Sequence, residues 1–347
     1  MKQYGVLVVD DSSFMRRCIS LILEKDPQFF IIGIARNGID AIEKIQRLRP
    51  DLVTMDVEMP EMDGISALKE IMASYPVPVV MLSNHTEERT KIALEALELG
   101  AVDLFVKNTI IGEDAKEVAI NDFLGKLKVI ATSGKVQTNK EDLETKKVVT
   151  SEVLTKTIRE LLIIGCSTGG PSALQSILPR FPANLPVPII VIQHMPPGFT
   201  RPLAERFDTI CNLHVKEIED GDFLEVGNIY VAPAGFQTSL EKNKENKIIF
   251  KVEDKSPIET LYKPSINVTL NSAAPIFKEK LLSVILTGMG NDGLIGCGNV
   301  RENKGYIIVE AEESCIVYGM PKVVFEAGLA DKQVTLPYIF EQIMLHL

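Results

Sequence analysis

The chain has 347 residues, 46% of them hydrophobic and 24% charged, the balance of a soluble globular protein of about two domains. A net charge of −10 argues against a nucleic-acid-binding face, and the five scattered cysteines show neither a C-x-x-C spacing nor a disulfide framework, which suits a reducing compartment. The apolar run at residues 5–9 meets Asp10 and Asp11 too soon for a signal peptide, and no stretch reaches membrane-span length; a cytoplasmic location without membrane insertion is expected.

In chain order, strand patterns at 5–9, 30–35, 52–55, 77–82 and 102–106 alternate with helical patterns at 12–23, 40–48, 65–74, 87–99 and 113–130. Such alternation predicts an α/β domain with a parallel sheet covered by helices on both faces. Asp10 and Asp11 then follow the first strand, Asp56 ends the third, Ser83 the fourth and Lys107 the fifth. All five fall on the carboxyl edge of the sheet, where ligands bind. Three carboxylates gathered there repel one another unless a cation sits among them, and hard oxygen donors suit Mg²⁺. A hydroxyl and an ammonium beside that cation suit the oxygens of a phosphoryl group.

These five residues resemble a two-component receiver domain, a flavodoxin-like (βα)₅ fold. The resemblance implies that Asp56 is the phosphoacceptor and that Ser83 and Lys107 contact the phosphoryl group. It also implies that Asp11, Asp56 and the backbone carbonyl of Glu58 hold Mg²⁺, with Asp10 helping through water. Receivers usually follow the lysine with proline; this chain has Asn108, so a cis X–Pro bond is unavailable there. The polar, mixed-charge stretch 132–157 reads as a linker between a receiver at 1–131 and a second domain at 158–347.

The second domain opens on LLIIGCSTGGP, an apolar run that passes through small residues into a helical pattern. Gly165-Cys166-Ser167-Thr168-Gly169 fits G-x-S-x-G between strand and helix, the setting of a nucleophile elbow. The five residues alone fit a glycine-rich phosphate turn equally well. Two further apolar strands, at 188–192 and 281–286, run into His194 and into the loop holding Asp292. If the strands are parallel, Ser167, His194 and Asp292 share one sheet edge, the layout that a serine nucleophile, its base and an orienting carboxylate require. The order differs from the Ser, acid, His of α/β-hydrolases. His346 stands at the fraying terminus, and His214 lies in a charged, solvent-facing stretch. Cys166 rivals Ser167 as a nucleophile, but alternation along a strand should turn it to the packing side.

GCSTGGP, QHMPPGFTRPLAERF, LTGMGNDG and YGMPK resemble the catalytic domain of the chemotaxis protein-glutamate methylesterases, the CheB family. The resemblance implies a doubly wound, mostly parallel serine hydrolase domain with the triad Ser167, His194 and Asp292. It adds the Met289 backbone N–H as an oxyanion donor and requires no cofactor for the esterase chemistry. It further implies phosphorylation-regulated hydrolysis of glutamate methyl esters on chemotaxis receptors, with glutamine deamidation at the same site, and a histidine kinase as phosphodonor. Gln237 stands where a histidine is expected and Asn267 where an aspartate is expected; neither should touch the triad. Pro196-Pro197-Gly198-Phe199 is a candidate exposed contact for the receptor. The competing reading is a non-enzymatic response regulator, which loss of a triad residue would have favoured; a transcription regulator would need a basic helix-turn-helix, and none is present.

Overall fold

The computed structural model describes residues 2–84, 87–112, 117–134 and 158–347. They form two compact units, and most of the stretch read as linker (135–157) lies outside the described residues, as do His85 and the start of the 113–130 helix.

The first unit is a five-stranded parallel sheet of β1 (Tyr4–Val9), β2 (Phe29–Ala35), β3 (Leu52–Asp56), β4 (Val79–Ser83) and β5 (Asp103–Val106), in the order β2-β1-β3-β4-β5. Every residue of β1, β3 and β4 is buried, as expected of strands covered on both faces. Three helices start at side-chain caps: Ser12, Asn37 and Asp63 each accept the amide three residues on. Such caps satisfy amides that the helix cannot, and the Asn37 cap starts its helix at Gly38, earlier than the apolar spacing indicates. β4 starts only at Val79, because Pro76 and Pro78 have no N–H for a ladder. A short helix, Lys107–Ile110, was not foreseen, and the last helix, Glu117–Ser133, runs two residues into the stretch read as linker.

The second unit is a seven-stranded sheet whose pairs are all parallel. Its strands are β6 (Leu161–Cys166), β7 (Ile189–Gln193), β8 (His214–Glu217), β9 (Asn228–Val231), β12 (Leu281–Ile285), β13 (Tyr306–Glu310) and β14 (Lys332–Val334), in the order β14-β13-β12-β6-β7-β9-β8. An antiparallel hairpin of β10 (Gln237–Lys242) and β11 (Ile248–Glu253) lies outside it. From β6 the chain winds one way through β7 and later returns to the other side at β12, so the topological switch point falls at β6. β6, β7 and β12 are wholly buried, and Ile163, Ile192 and Ile285 meet Ile266 and Leu270 of the helix Ile266–Phe277 in one core. No helix among the described residues is long and apolar enough to cross a membrane.

Candidate active site and phosphoryl site

At the carboxyl edge of the first sheet, Lys107 Nζ lies 2.7 Å from Asp10 Oδ2 and 2.7 Å from Asp56 Oδ2. All three residues are buried, as is Ser83, while Asp11 is exposed. Carboxylate oxygens of Asp10, Asp11 and Asp56 come within 4.8 Å of one another. The cluster lines a cavity of about 480 Å³ that Glu58, Ser83 and Asn84 also border. Arg16 fixes the first corner by donating to the carbonyls of Asp10 (2.6 Å) and Asp11 (3.0 Å). Burial pushes the Asp56 carboxyl up; Lys107 opposes this, and the net value is about 6. The Ser83 hydroxyl donates to the Asn84 carbonyl. Asn108 leaves the site intact: Lys107 opens its short helix from an extended Val106 and still reaches both carboxylates.

In the second unit, β6 delivers Ser167 through a turn closed by Gly169, whose φ of 79° favours glycine. Pro171 then occupies the first turn of the helix Gly170–Ile177. β7 ends in Gln193, and its Nε2 donates to the carbonyls of Ser167 (3.1 Å) and His194 (2.9 Å), tying the two corners together. Cys166 is wholly buried with its thiol 3.0 Å from Gln193 Oε1, and burial, followed by the charge of Glu310, pushes the thiol far above its ordinary range. Its side chain therefore packs inward, as strand alternation indicates.

His194 Nε2 lies 2.8 Å from Asp292 Oδ2. Its Nδ1 is buried and makes no hydrogen bond among the described residues. Asp292 sits against the N-terminus of the helix Ile266–Phe277, accepting from Ile266 N (2.7 Å), Asn267 N (3.0 Å) and Ser265 Oγ (2.9 Å). A helix N-terminus favours an anion by its free amides and its dipole. Burial alone would raise the Asp292 carboxyl, yet His194 and the two helix amides outweigh it and hold it below the usual range. The Met289 amide donates to no carbonyl among the described residues, whereas Ser167 N–H is already committed to Thr287 O at 3.0 Å.

Three expectations need correction. Asn267 does touch the triad: its N–H holds Asp292, and its Oδ1 accepts from Gly293 N (3.0 Å) and Gly296 N (2.8 Å), capping the next helix. An amide there does so without placing a second carboxylate beside Asp292. Phe199 is wholly buried, so only Pro197 and Gly198 of the Pro-Pro-Gly-Phe segment are exposed. His346 is buried on its helix rather than frayed, and it packs on Tyr306 at 4.1 Å. Tyr306 begins β13, so His346 lies at the sheet edge opposite the triad. His214 is exposed, as expected, and bonds Asp208.

Sequence reasoning also passed over Ser265, Tyr262 and Glu310. Pro264-Ser265 ahead of an apolar helical run is a helix-start signal, and it marks the amides that hold Asp292. Tyr262 stacks on His194 with centroids 4.4 Å apart and planes 8° apart. Glu310, fully buried, accepts from Thr287 N at 2.8 Å and from Ser314 Oγ at 2.9 Å; no sequence signal points to it.

The sequence profile of the CheB methylesterase family matches residues 162–343, and that of the response regulator receiver domain matches residues 6–118. The chain is 40% identical to a protein-glutamate methylesterase/protein-glutamine glutaminase of Desulfitobacterium hafniense, over 98% of this chain and 96% of that one. It is 42% identical to a protein of the same name from Symbiobacterium thermophilum, over 94% of this chain and 92% of that one. The crystal structure of the Thermotoga maritima CheB methylesterase catalytic domain is similar at 42% identity and a TM-score of 0.53, covering 55% of this chain and 100% of that chain.

Proposed function

The chain belongs to the CheB methylesterase family and carries a response regulator receiver domain, and from that premise we propose that it demethylates and deamidates chemotaxis receptors under the control of a phosphoryl group on Asp56. It is a protein-glutamate methylesterase and protein-glutamine glutaminase. The observation that carries the residue assignment is the His194–Asp292 pair, built from the ends of β7 and β12 on either side of the strand that delivers Ser167.

His194 spends Nε2 on Asp292, so Nδ1 is the nitrogen left to take the Ser167 proton. Asp292 fixes the tautomer that makes Nδ1 the acceptor and stabilises the imidazolium that follows. Ser167 Oγ attacks the side-chain ester carbonyl carbon, and the oxyanion forms against the uncommitted Met289 N–H. The intermediate collapses as His194 returns its proton to the departing oxygen, and methanol leaves. Water, deprotonated by His194, then attacks the acyl-serine; the products are a glutamate carboxylate and free Ser167. A glutamine amide follows the same path with ammonia as the leaving group.

In the receiver, the clustered oxygens of Asp10, Asp11 and Asp56 fit a hard divalent cation. Mg²⁺ would be held by Asp11, Asp56 and the Glu58 carbonyl, and when bound it neutralises charge on the incoming phosphoryl oxygens. Asp56 is the nucleophile toward phosphorus, and Lys107 is placed to pair with the product. A histidine kinase is the expected donor, and the receptor signalling domain the expected substrate.

The test is methanol release from a methyl-esterified receptor fragment by the full chain, with and without a small phosphodonor and Mg²⁺. Release stimulated by phosphodonor, and no stimulation or acid-labile phosphate in Asp56→Asn, is the expected result. Equal phosphate uptake by Asp56→Asn contradicts the receiver assignment.

A further inference from the structure

Gln237 opens β10 and is 2% exposed. Its Nε2 donates to the Tyr262 carbonyl at 2.7 Å, and its Oε1 accepts from Ser265 N–H at 2.9 Å. Both ends of one buried amide are thus committed to a backbone acceptor and a backbone donor of a single loop. The base of the clamp is firm. β10 pairs along its length with β11, Thr269 Oγ1 donates to the Thr238 carbonyl at 2.8 Å, and Leu240 N–H donates to Ser272 Oγ at 3.0 Å.

The clamped loop governs two members of the triad. Tyr262 lies flat on the His194 ring, which fixes its plane. Ser265 Oγ and Ile266 N–H hold Asp292, the latter on Oδ2, the oxygen that also meets His194 Nε2. The opposite loop is shaped to accept Tyr262: a Cβ at Gly290 would fall 2.3 Å from the tyrosine hydroxyl. That glycine adjoins Met289, so the tyrosine is wedged between the general base and the oxyanion loop.

We infer that Gln237 is a positioning residue for ester hydrolysis, setting the plane of His194 through Tyr262 and the seat of Asp292 through Ser265. The inference rests on the triad reading above. Catalytic groups need placement to within about 0.5 Å and 10–20°, and an amide bridging both ends of the loop supplies that constraint without touching substrate.

Gln237→Met keeps the length of the side chain and removes donor and acceptor; Gln237→His keeps one of each. Both are compared in the full chain with wild type, Tyr262→Leu and Ser167→Ala, on a methyl-esterified receptor fragment and on p-nitrophenyl acetate. Circular dichroism reports folding. The expected result is a kcat loss of about 100-fold in Gln237→Met, on both esters and with KM little changed, a similar loss in Tyr262→Leu, and recovery of most activity in Gln237→His. A wild-type kcat in folded Gln237→Met, a change confined to KM, a loss on the receptor ester alone, or a folded Gln237→His as slow as Gln237→Met would each overturn the inference. If Gln237→Met does not fold, Tyr262→Leu and Gln237→His decide: a wild-type kcat in the first or a 100-fold loss in the second overturns it. Hydrolysis by Ser167→Ala at the wild-type rate would instead overturn the triad reading on which the inference rests.

Discussion

Asp56 and Asp292 stand at comparable places, each buried at the carboxyl edge of a parallel sheet beside a strand order reversal. Their surroundings push them in opposite directions. Asp56 shares one ammonium with Asp10 and is raised to about 6, burial being the larger influence. Asp292 meets His194 and two amides at a helix N-terminus, and these outweigh burial. A carboxylate held anionic by its histidine partner and by fixed helix amides is suited to orient that imidazole. One balanced among other carboxylates, with an open cavity in front, is placed to receive a cation and a phosphoryl group. The fold supplies the edge in both units, and the donors around the carboxylate decide the chemistry.

The contrast breaks most visibly at the second edge. Ser167→Ala should lower kcat for methanol release by about 10⁶-fold, while Cys166→Ala keeps most activity. Loss confined to Cys166→Ala would move the nucleophile and undo the comparison. Next in size, Asp292→Asn should leave the fold intact and remove the charge proposed to orient His194; the drop should be about 10⁴-fold. A variant within tenfold of wild type would mean that Asp292 does not orient the base.

At the first edge the expected effect is on stability. Mg²⁺ at a hundred times its Kd should stabilise the receiver by about 2.7 kcal/mol, read as a shift in its unfolding midpoint that chelator reverses. Asp11→Asn should shrink that shift, and an unchanged shift would place the cation elsewhere.

The smallest effect is the pH dependence of Asp292. Its folded pKa lies below its unfolded value, so its stabilisation is complete above about pH 4 and is lost as pH falls through the folded pKa. Urea unfolding of wild type and Asp292→Asn should therefore show a stability gap at pH 7 that narrows by pH 3. A gap that is flat across this range would mean that His194 and the helix amides do not depress Asp292.

Much of this was legible in the residues. Parallel strands read as continuous apolar runs, and a residue just past such a run lands on the carboxyl edge whatever the details of packing; Asp10, Asp56, Lys107, Ser167 and His194 were found this way. What escaped was contact between segments distant in sequence. Ser265 and Tyr262 lie roughly thirty residues before Asp292 and about seventy after His194, in a stretch with no apolar strand to position it. Asn267 reaches Asp292 through its backbone N–H, a contact that its identity does not reveal. Phe199 turns inward although it follows Pro-Pro-Gly, a turn signal that says nothing of which side chain faces the core. The β10–β11 hairpin carries, through Gln237, the clamp on the Tyr262–Ser265 loop, and nothing in its sequence hints at that role.

Central to the proposed chemistry is Ser167 as the nucleophile that His194 activates. The most direct measurement is mass spectrometry of the full chain after reaction with a fluorophosphonate ester, with the adduct mapped to a residue. One adduct is expected, on Ser167, forming far more slowly in Asp292→Asn. An adduct on Cys166, or labelling of Ser167 at an unchanged rate in Asp292→Asn, would contradict it.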